Sequence, residues 1–180
     1  MYKTAYLLSG YPCSGKSTAL NIFKLVEDVR CFEFSDHVRN EFKTVDDQDV
    51  SDNDLGIWAA NTKENYGNNI FAKSLLEEII DEVPKGKSVA VSGFRSPKEI
   101  SVFTESDLFE QTELIFIEAS EPVRWERYKE SRDSTLEEFE ERNEREKNWG
   151  LERVHCMSTP IQNSYIAKER FRNKIKDLYL

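Results

Sequence analysis

The chain has little metal-binding or disulfide chemistry to offer. It contains two histidines and three cysteines, and Cys13, Cys31 and Cys156 are scattered along its length. No pair has metal-ligand spacing, and the odd, dispersed pattern fits a reducing cytoplasm, the expected location. No apolar stretch approaches the ~20 residues of a membrane span. Met1 to Ser9 lack the basic segment and long apolar run of a secretory signal, so none is expected. Positive charge is in deficit: 25 Lys and Arg stand against 34 Asp and Glu, a formal charge of −9. A surface for wholesale polyanion binding carries the opposite balance, so nucleic acid is not an expected partner. A small anionic ligand needs only local positive charge and stays open. There is no internal repeat, no low-complexity tract and no Pro/Gly/Ser linker. The 180 residues, 38% of them hydrophobic, are therefore expected to form one unit, residues 1–180, long enough to bury a core without staples.

Apolar spacing alternates between strand and helix character. Ala5 to Leu8 reads as a strand, followed by a glycine-containing turn. Ala19, Leu20, Ile22, Phe23, Val26 and Val29 then recur at helical spacing. Cys31 to Phe34 is a short second strand, and Ser35 is placed to cap a helix through Val38 and Phe42. Thr44 to Asp54 is acidic and polar, the pattern of a solvated loop. Two helices are expected next, about Leu55 to Tyr66 and Ile70 to Ile80, the second stopped near Pro84. Ser88 to Ser92 and Glu113 to Glu118 read as strands three and four. Ser96-Pro97-Lys98-Glu99 and Thr135-Leu136-Glu137-Glu138 are capping boxes opening further helices. Pro122 opens a helix to about Ser131, and the charged helix after Thr135 stops at Trp149-Gly150. A weak fifth strand falls near Met157 to Gln162, before a last helix carrying Phe171, Ile175, Leu178 and Tyr179. Strands separated by helices predict a parallel sheet covered on both faces.

Gly10-Tyr11-Pro12-Cys13-Ser14-Gly15-Lys16-Ser17 matches G-x-x-x-x-G-K-[ST] at every fixed position, after a strand and opening a helix. Gly10 and Gly15 let backbone curl around phosphate oxygens, and the amides from Cys13 and Ser14 onward supply donors at a positive helix end. Lys16 places a full charge on the β- and γ-phosphates, Ser17 can offer its hydroxyl to Mg²⁺, and Thr18 a further phosphate contact. The pattern predicts ATP and Mg²⁺ as cofactors. Cys13 is either a small filler or a thiol activated by Lys16 and the helix terminus.

Four further segments resemble the P-loop nucleoside monophosphate kinase superfamily, in particular its adenylate-kinase-related and dephospho-CoA-kinase-like members. They are Ser35-Asp36-His37-Val38-Arg39, Ser92-Gly93-Phe94-Arg95-Ser96, Arg124 to Arg127 with Arg132-Asp133, and Phe139 to Glu146 ahead of Trp149-Gly150. With the phosphate loop they span almost the whole chain. The resemblance implies a three-layer α/β/α domain with a five-stranded parallel sheet in the order 2-3-1-4-5. A short helical lid lies at about residues 124–150. It implies that Arg39 and Arg95 hold an acceptor phosphate and that Arg124 and Arg127 close over the transferring group. Arg132 and Arg142 contribute beside the substrate. The implied catalytic set is Lys16, Arg95, Arg124 and Asp36.

Several of these residues have plainer explanations. Arg39 is also what a solvated charge on a short helix looks like. Asp36 is a base for a hydroxyl acceptor, a ligand contact or a helix cap. Arg142 and Arg145 sit among glutamates, so surface pairing at i, i+4 accounts for them equally well. The resembled kinases usually have an aspartate where this chain has Ser92, and that carboxylate holds Mg²⁺ through water. Asp36 or Glu118 are its available substitutes. Without a Cys cluster the lid is expected to hold no zinc. His37 and His155 read as ordinary surface or supporting residues, and Trp58, Tyr66, Phe71 and Trp125 as packing. The expected activity is transfer of the γ-phosphate of ATP to a nucleoside or deoxynucleoside monophosphate or similar acceptor. A kinase for a hydroxyl acceptor such as dephospho-CoA, and a regulatory P-loop ATPase, are the alternatives.

Overall fold

The computed structural model describes residues 1–45, 51–131, 135–164 and 167–180, and the side chains of these except 44, 45, 52 and 53. Five strands form one parallel sheet: β1 (Tyr2–Ser9), β2 (Val29–Glu33), β3 (Ser88–Phe94), β4 (Phe109–Glu118) and β5 (Thr159–Gln162), in the order β2-β3-β1-β4-β5. The helices are α1 (Lys16–Phe23), α2 (Phe34–Val45), α3 (Asp52–Tyr66), α4 (Ile70–Glu82), α5 (Pro97–Thr104), α6 (Glu121–Ser131), α7 (Leu136–Trp149), α8 (Leu151–Cys156) and α9 (Lys168–Tyr179). The sheet order and three layers are those the resemblance implies.

The period-two alternation of the strands feeds two separate cores. Leu7, Val89, Val91 and Phe116 face a core shared with α2, α3, α4, α5 and α8. Their neighbours Leu8, Ala90, Ile115 and Ile117 face a second core with α1 and α9. Every residue of β3 is buried, as a central parallel strand covered on both faces requires.

Several boundaries differ from the pattern. Helix α2 starts at Phe34, directly off β2, so Ser35 is inside the first turn and caps nothing. The packing of Phe34 against Phe94, centroids 5.4 Å apart, fixes that junction. Ser51 is the side chain that caps α3, its Oγ accepting from the Asp54 amide at 3.1 Å. The expected loop is thereby shortened at both ends. Residues 46–50 of it lie outside the described residues. Both capping boxes form. Strand β4 begins four residues earlier than its apolar run because β1 pairs with its polar half, Thr4 with Gln111 and Tyr2 with Phe109. Helix α8 has no counterpart in the expectations. It follows α7 through Gly150, whose left-handed backbone both ends one helix and starts the next. No helix among the described residues is long and apolar enough to cross a membrane.

Candidate active site

All five strands run the same way, so their C-terminal ends gather the connecting loops along one edge, the usual ligand edge of an open α/β sheet. The chain leaves β1 at Gly10 with φ +143°. A Cβ there would stand 2.3 Å from the carbonyl oxygen of Ile117 on β4, so this turn admits only glycine. Cys13 adopts a left-handed φ of 59°. Gly15 precedes α1 at φ +109°, and no side chain caps that helix. Its first amides therefore remain available as donors at the positive end of the helix.

These residues floor a cleft of about 520 Å³ bordered by Cys13, Gly15, Lys16, Ser17, Thr18, Glu33, Gly93, Arg95, Arg127, Arg142 and Glu146. The predicted phosphate-loop residues are thus brought together, Ser14 behind them with its hydroxyl buried and unpartnered among the described residues. Lys16 Nζ folds back over the loop and donates to the carbonyls of Gly10 at 2.6 Å and Tyr11 at 2.8 Å. Desolvation pushes its pKa down to about 8, with Arg95 and Arg142 adding to the fall and Glu146 opposing it.

The two arginines of α6 part company. Arg127 lines the cleft and braces the loop, donating to the carbonyls of Cys13 (3.2 Å), Ser14 (3.3 Å) and Asn163 (2.7 Å). Asn163 in turn donates to the Ser14 carbonyl at 2.7 Å. Arg124 is buried and lines neither cavity. It donates to Asn143 Oδ1 at 2.6 Å and to the Ala119 carbonyl at 3.2 Å, and lies over the Tyr11 ring at 4.7 Å. Where the resemblance implies a phosphate contact, the structure places a tie between loop, α6 and α7.

A second cavity of about 280 Å³ adjoins the cleft, with walls of Phe34, Val38, Leu55, Ala59, Phe71 and Trp149 and the cations Arg39, Lys63, Arg95, Arg142 and Arg145. Arg39 thus lines this second cavity. Lys63 and Trp149 were not singled out by sequence reasoning. Lys63 Nζ lies 4.5 Å from the centre of the Trp149 ring, with the guanidinium groups of Arg95 and Arg145 at 5.6 and 5.9 Å. Such stacking keeps cations oriented while the indole excludes water.

The two cavities share Ser35, Arg95, Arg142 and Glu146. Glu146, whose side chain is 4% exposed, accepts from Arg95 Nε at 3.2 Å and pairs with Arg142 Nε at 3.6 Å. Burial would raise its carboxyl, but Arg95, Lys16 and Arg142 outweigh burial and hold it below the usual range. In sequence Glu146 is one glutamate among many on a charged helix. Only the burial of that face distinguishes it.

Ser92 is fully buried at the end of β3, and its register partner on β2 is Glu33. The Glu33 carboxyl lines the cleft and is pushed up by burial, a rise that Ser92 and Lys16 partly offset. The Ser92 hydroxyl itself has no hydrogen bond of good geometry among the described residues. Thus the carboxylate missing at Ser92 has a neighbour one strand over. Neither expected substitute fills that place. Asp36 is exposed on α2 outside the lining of both cavities. Glu118 is hydrogen-bonded by Gln162 and faces His155 at 3.7 Å. The position of Glu33 at the C-terminal end of a strand was the signal available in sequence.

The remaining candidates are structural. His37 is buried, not surface, joined to Glu78 and to Ser74 Oγ at 2.7 Å across α2 and α4. His155 packs on Phe116. Trp58 packs between Phe42 and Phe71, and Trp125 against Phe139. Tyr66 is exposed. Arg132, expected beside the substrate, lies outside the described residues. Among the described residues no three His, Cys, Asp or Glu side chains cluster as an all-protein metal cage.

No family model matches the chain. It is 30% identical over 175 residues to a UPF0200/UPF0201 protein of Archaeoglobus fulgidus, covering 95% of this chain and 53% of that protein, so it spans about half of that relative. A UPF0200 protein of Pyrococcus abyssi is 28% identical, covering 94% of this chain and 92% of the relative. One of Thermococcus onnurineus is 24% identical, covering 96% and 94%. Among solved structures, TT1252 from Thermus thermophilus superimposes with a TM-score of 0.62 at 14% identity, covering 98% and 96% of the two chains. Shikimate kinase from Acinetobacter baumannii, in complex with shikimate, gives 0.60 at 11%, covering 99% and 93%. Shikimate kinase from Aquifex aeolicus gives 0.52 at 17%, covering 96% and 94%. The structural likenesses show a fold shared with the two shikimate kinases. They do not extend to the adenylate-kinase or dephospho-CoA-kinase subfamilies.

Proposed function

We propose that the chain is a phosphotransferase that moves the γ-phosphate of Mg·ATP from the phosphate-loop cleft to a small anionic acceptor in the second cavity, a nucleoside monophosphate or a similar phosphorylated molecule. The observation that carries this reading is the junction of the two cavities at Arg95 and Arg142. A donor site and an acceptor site that meet at a pair of guanidinium groups suit in-line transfer, in which charge spreads over the equatorial oxygens of the moving group. Residues 1–180 act in this reading as one kinase-like unit, with about 124–150 as its lid.

The roles divide by position. The α1 amides and Lys16 hold the ATP phosphates, and Arg127 keeps the loop in shape. The donor set suits Mg²⁺, which retains water and takes one or two protein oxygens beside substrate phosphates. Ser17 and Glu33, which both line the cleft, are the residues that would hold it. Mg²⁺ held there would supply positive charge against that carried by the phosphates. Arg39, Lys63 and Arg145 bind the acceptor's charge, and the apolar walls exclude the water that would compete as acceptor. An acceptor phosphate oxygen attacks the γ-phosphorus, the bond to the β–γ bridging oxygen breaks, and ADP leaves with that electron pair. No proton need be removed from an ionised acceptor.

One observation favours a second reading. The Glu33 carboxyl, half-buried near Lys16 and raised in pKa by that burial, has the character of a general base for a hydroxyl acceptor. The deciding experiment is ADP release from Mg·ATP against a panel of ribo- and deoxynucleoside monophosphates, dephospho-CoA and shikimate, with Lys16→Ala as the blank. Strong stimulation by a monophosphate is the expected result. Stimulation only by a hydroxyl acceptor selects the second reading. Slow, Lys16-dependent hydrolysis that no acceptor stimulates makes the chain a regulatory ATPase and ends both.

A further inference from the structure

Glu146 presents an unusual combination. Its carboxylate is buried and ionised at the junction of two cavities otherwise rich in cations. One oxygen is shared by Arg95, which enters from the loop after β3, and Arg142, one turn earlier on α7. The other oxygen is buried with no hydrogen-bond partner among the described residues. A carboxylate that served only to hold α7 in place would be expected to satisfy both oxygens, because an unpartnered buried charge is costly. Both arginines meet Glu146 through Nε, the inner edge of the guanidinium. At its terminus Arg95 donates from Nη1 to the Gly93 carbonyl at 3.1 Å and faces the Trp149 ring at 5.6 Å. An edge-on grip of this kind fixes the direction of a guanidinium without using the fork that recognises phosphate.

We propose that Glu146 is a positioning residue for phosphoryl transfer, clasping Arg95 and Arg142 by their Nε edges so that the two arginines shared by the cavities act on the transferring group as one unit. The inference rests on the phosphotransferase reading and adds to it a residue that need not touch substrate. Because the clasp joins a strand loop to a helix of the lid segment, it links occupancy of one cavity to the geometry of the other. Its negative charge also offsets the repulsion between the two guanidinium groups it holds.

The test is Glu146→Gln, which keeps shape and removes charge, with Glu146→Asp as the conservative variant. Two readouts are used. In spectra of the ¹⁵N-labelled protein, the Nε–H signal of Arg95 should be resolved and slow to exchange in the wild type, and should merge with exposed arginines in Glu146→Gln. In transfer assays at pH 6.5, chosen so that Lys16 stays charged without the support of Glu146, Glu146→Gln should lower kcat about 100-fold while the ATP dissociation constant moves far less, since the loop amides keep their geometry. Glu146→Asp should recover part of the rate. In an Arg95→Lys background, Glu146→Gln should cost less than tenfold, because the partner through which it acts is already gone. Equal kcat in Glu146→Gln and wild type, or full additivity with Arg95→Lys, overturns the inference while leaving the phosphotransferase reading intact. If Glu146→Gln does not fold, the same comparison is made with Glu146→Asp, and wild-type kcat in that variant with an unresolved Arg95 signal overturns it. A wild type with no Lys16-dependent transfer to any acceptor overturns the reading and the inference with it.

Discussion

Lys63 Nζ lies 2.6 Å from Glu99 Oε1, and both side chains are almost wholly buried, at 7% and 1% exposure. The other Glu99 oxygen accepts from the amides of Arg95 at 2.7 Å and Ser96 at 3.1 Å. A lysine on α3 therefore neutralises the carboxylate that shapes the loop carrying Arg95. Lys63→Met strands that carboxylate, and urea denaturation should show a loss of about 3–5 kcal/mol. Adding Glu99→Gln to the same chain should return part of it, because a neutral pair no longer buries an isolated charge.

Lys16 makes the site sensitive to alkali. Its pKa of about 8 lies below the lysine reference of 10.5, so its positive charge is lost from the cleft as pH rises through that value. kcat/KM for ATP, which reports the free enzyme, should fall above pH 8 with a slope of one. Stability should move the other way. Between about 8 and 10.5 the unfolded chain binds the proton and the folded chain does not, so the lysine's contribution to folding rises across that window.

Glu33→Gln separates two roles for one carboxylate. If Glu33 holds Mg²⁺ through water, the variant should need about 10–100-fold more Mg²⁺ and recover its rate when Mg²⁺ is raised. A rate that stays low at saturating Mg²⁺ identifies Glu33 as a base and favours a hydroxyl acceptor.

Gly56 borders the second cavity, where an added Cβ would meet the Arg145 guanidinium at 3.1 Å. Gly56→Ala should raise KM for the acceptor about tenfold, the order of a displaced charged contact, and leave ATP affinity unchanged. A matched rise in KM for ATP would place the acceptor elsewhere.

Arg124→Ala should act on stability before chemistry. The side chain is buried and donates to Asn143 and Ala119, so its removal orphans acceptors and opens a void, a loss of about 3 kcal/mol or more in chemical denaturation. Activity per folded molecule should fall far less than for Arg95→Ala.

Sequence order carried the fold well, because the phosphate loop, the two capping boxes and the buried runs of β3 and β4 are local signals. It carried the phosphate side of the site for the same reason: Lys16, Ser17 and Thr18 are consecutive residues. The second cavity was legible only through resemblance, and partly so. Arg39 and Arg95 line the second cavity, whereas Arg124 and Asp36 do not. Lys63, Glu146 and Trp149 come from α3 and the end of α7, elements whose inward face depends on how helices pack. Glu146 and the solvent-facing Glu144 differ by two positions on one helix, and nothing short of the packing tells them apart. Helix α8 escaped notice because Gly150 looks like a terminator and is also a restart.

The cations and carboxylates bordering the two cavities are far from the chain's average. Among the described residues that line them, Lys16, Arg39, Lys63, Arg95, Arg127, Arg142 and Arg145 stand with two carboxylates, Glu33 and Glu146, in a molecule whose formal charge is −9. The outer surface is thus more acidic than the total suggests, and the interior of the clefts is the reverse. At ordinary ionic strength charges are screened beyond about 8 Å, so a long polyanion lying across the surface meets repulsion. A compact dianion that reaches the mouth of a cleft meets an inward field instead. The molecule sorts anions by size before any specific contact is made, and capture of small ones should slow steeply as salt is added.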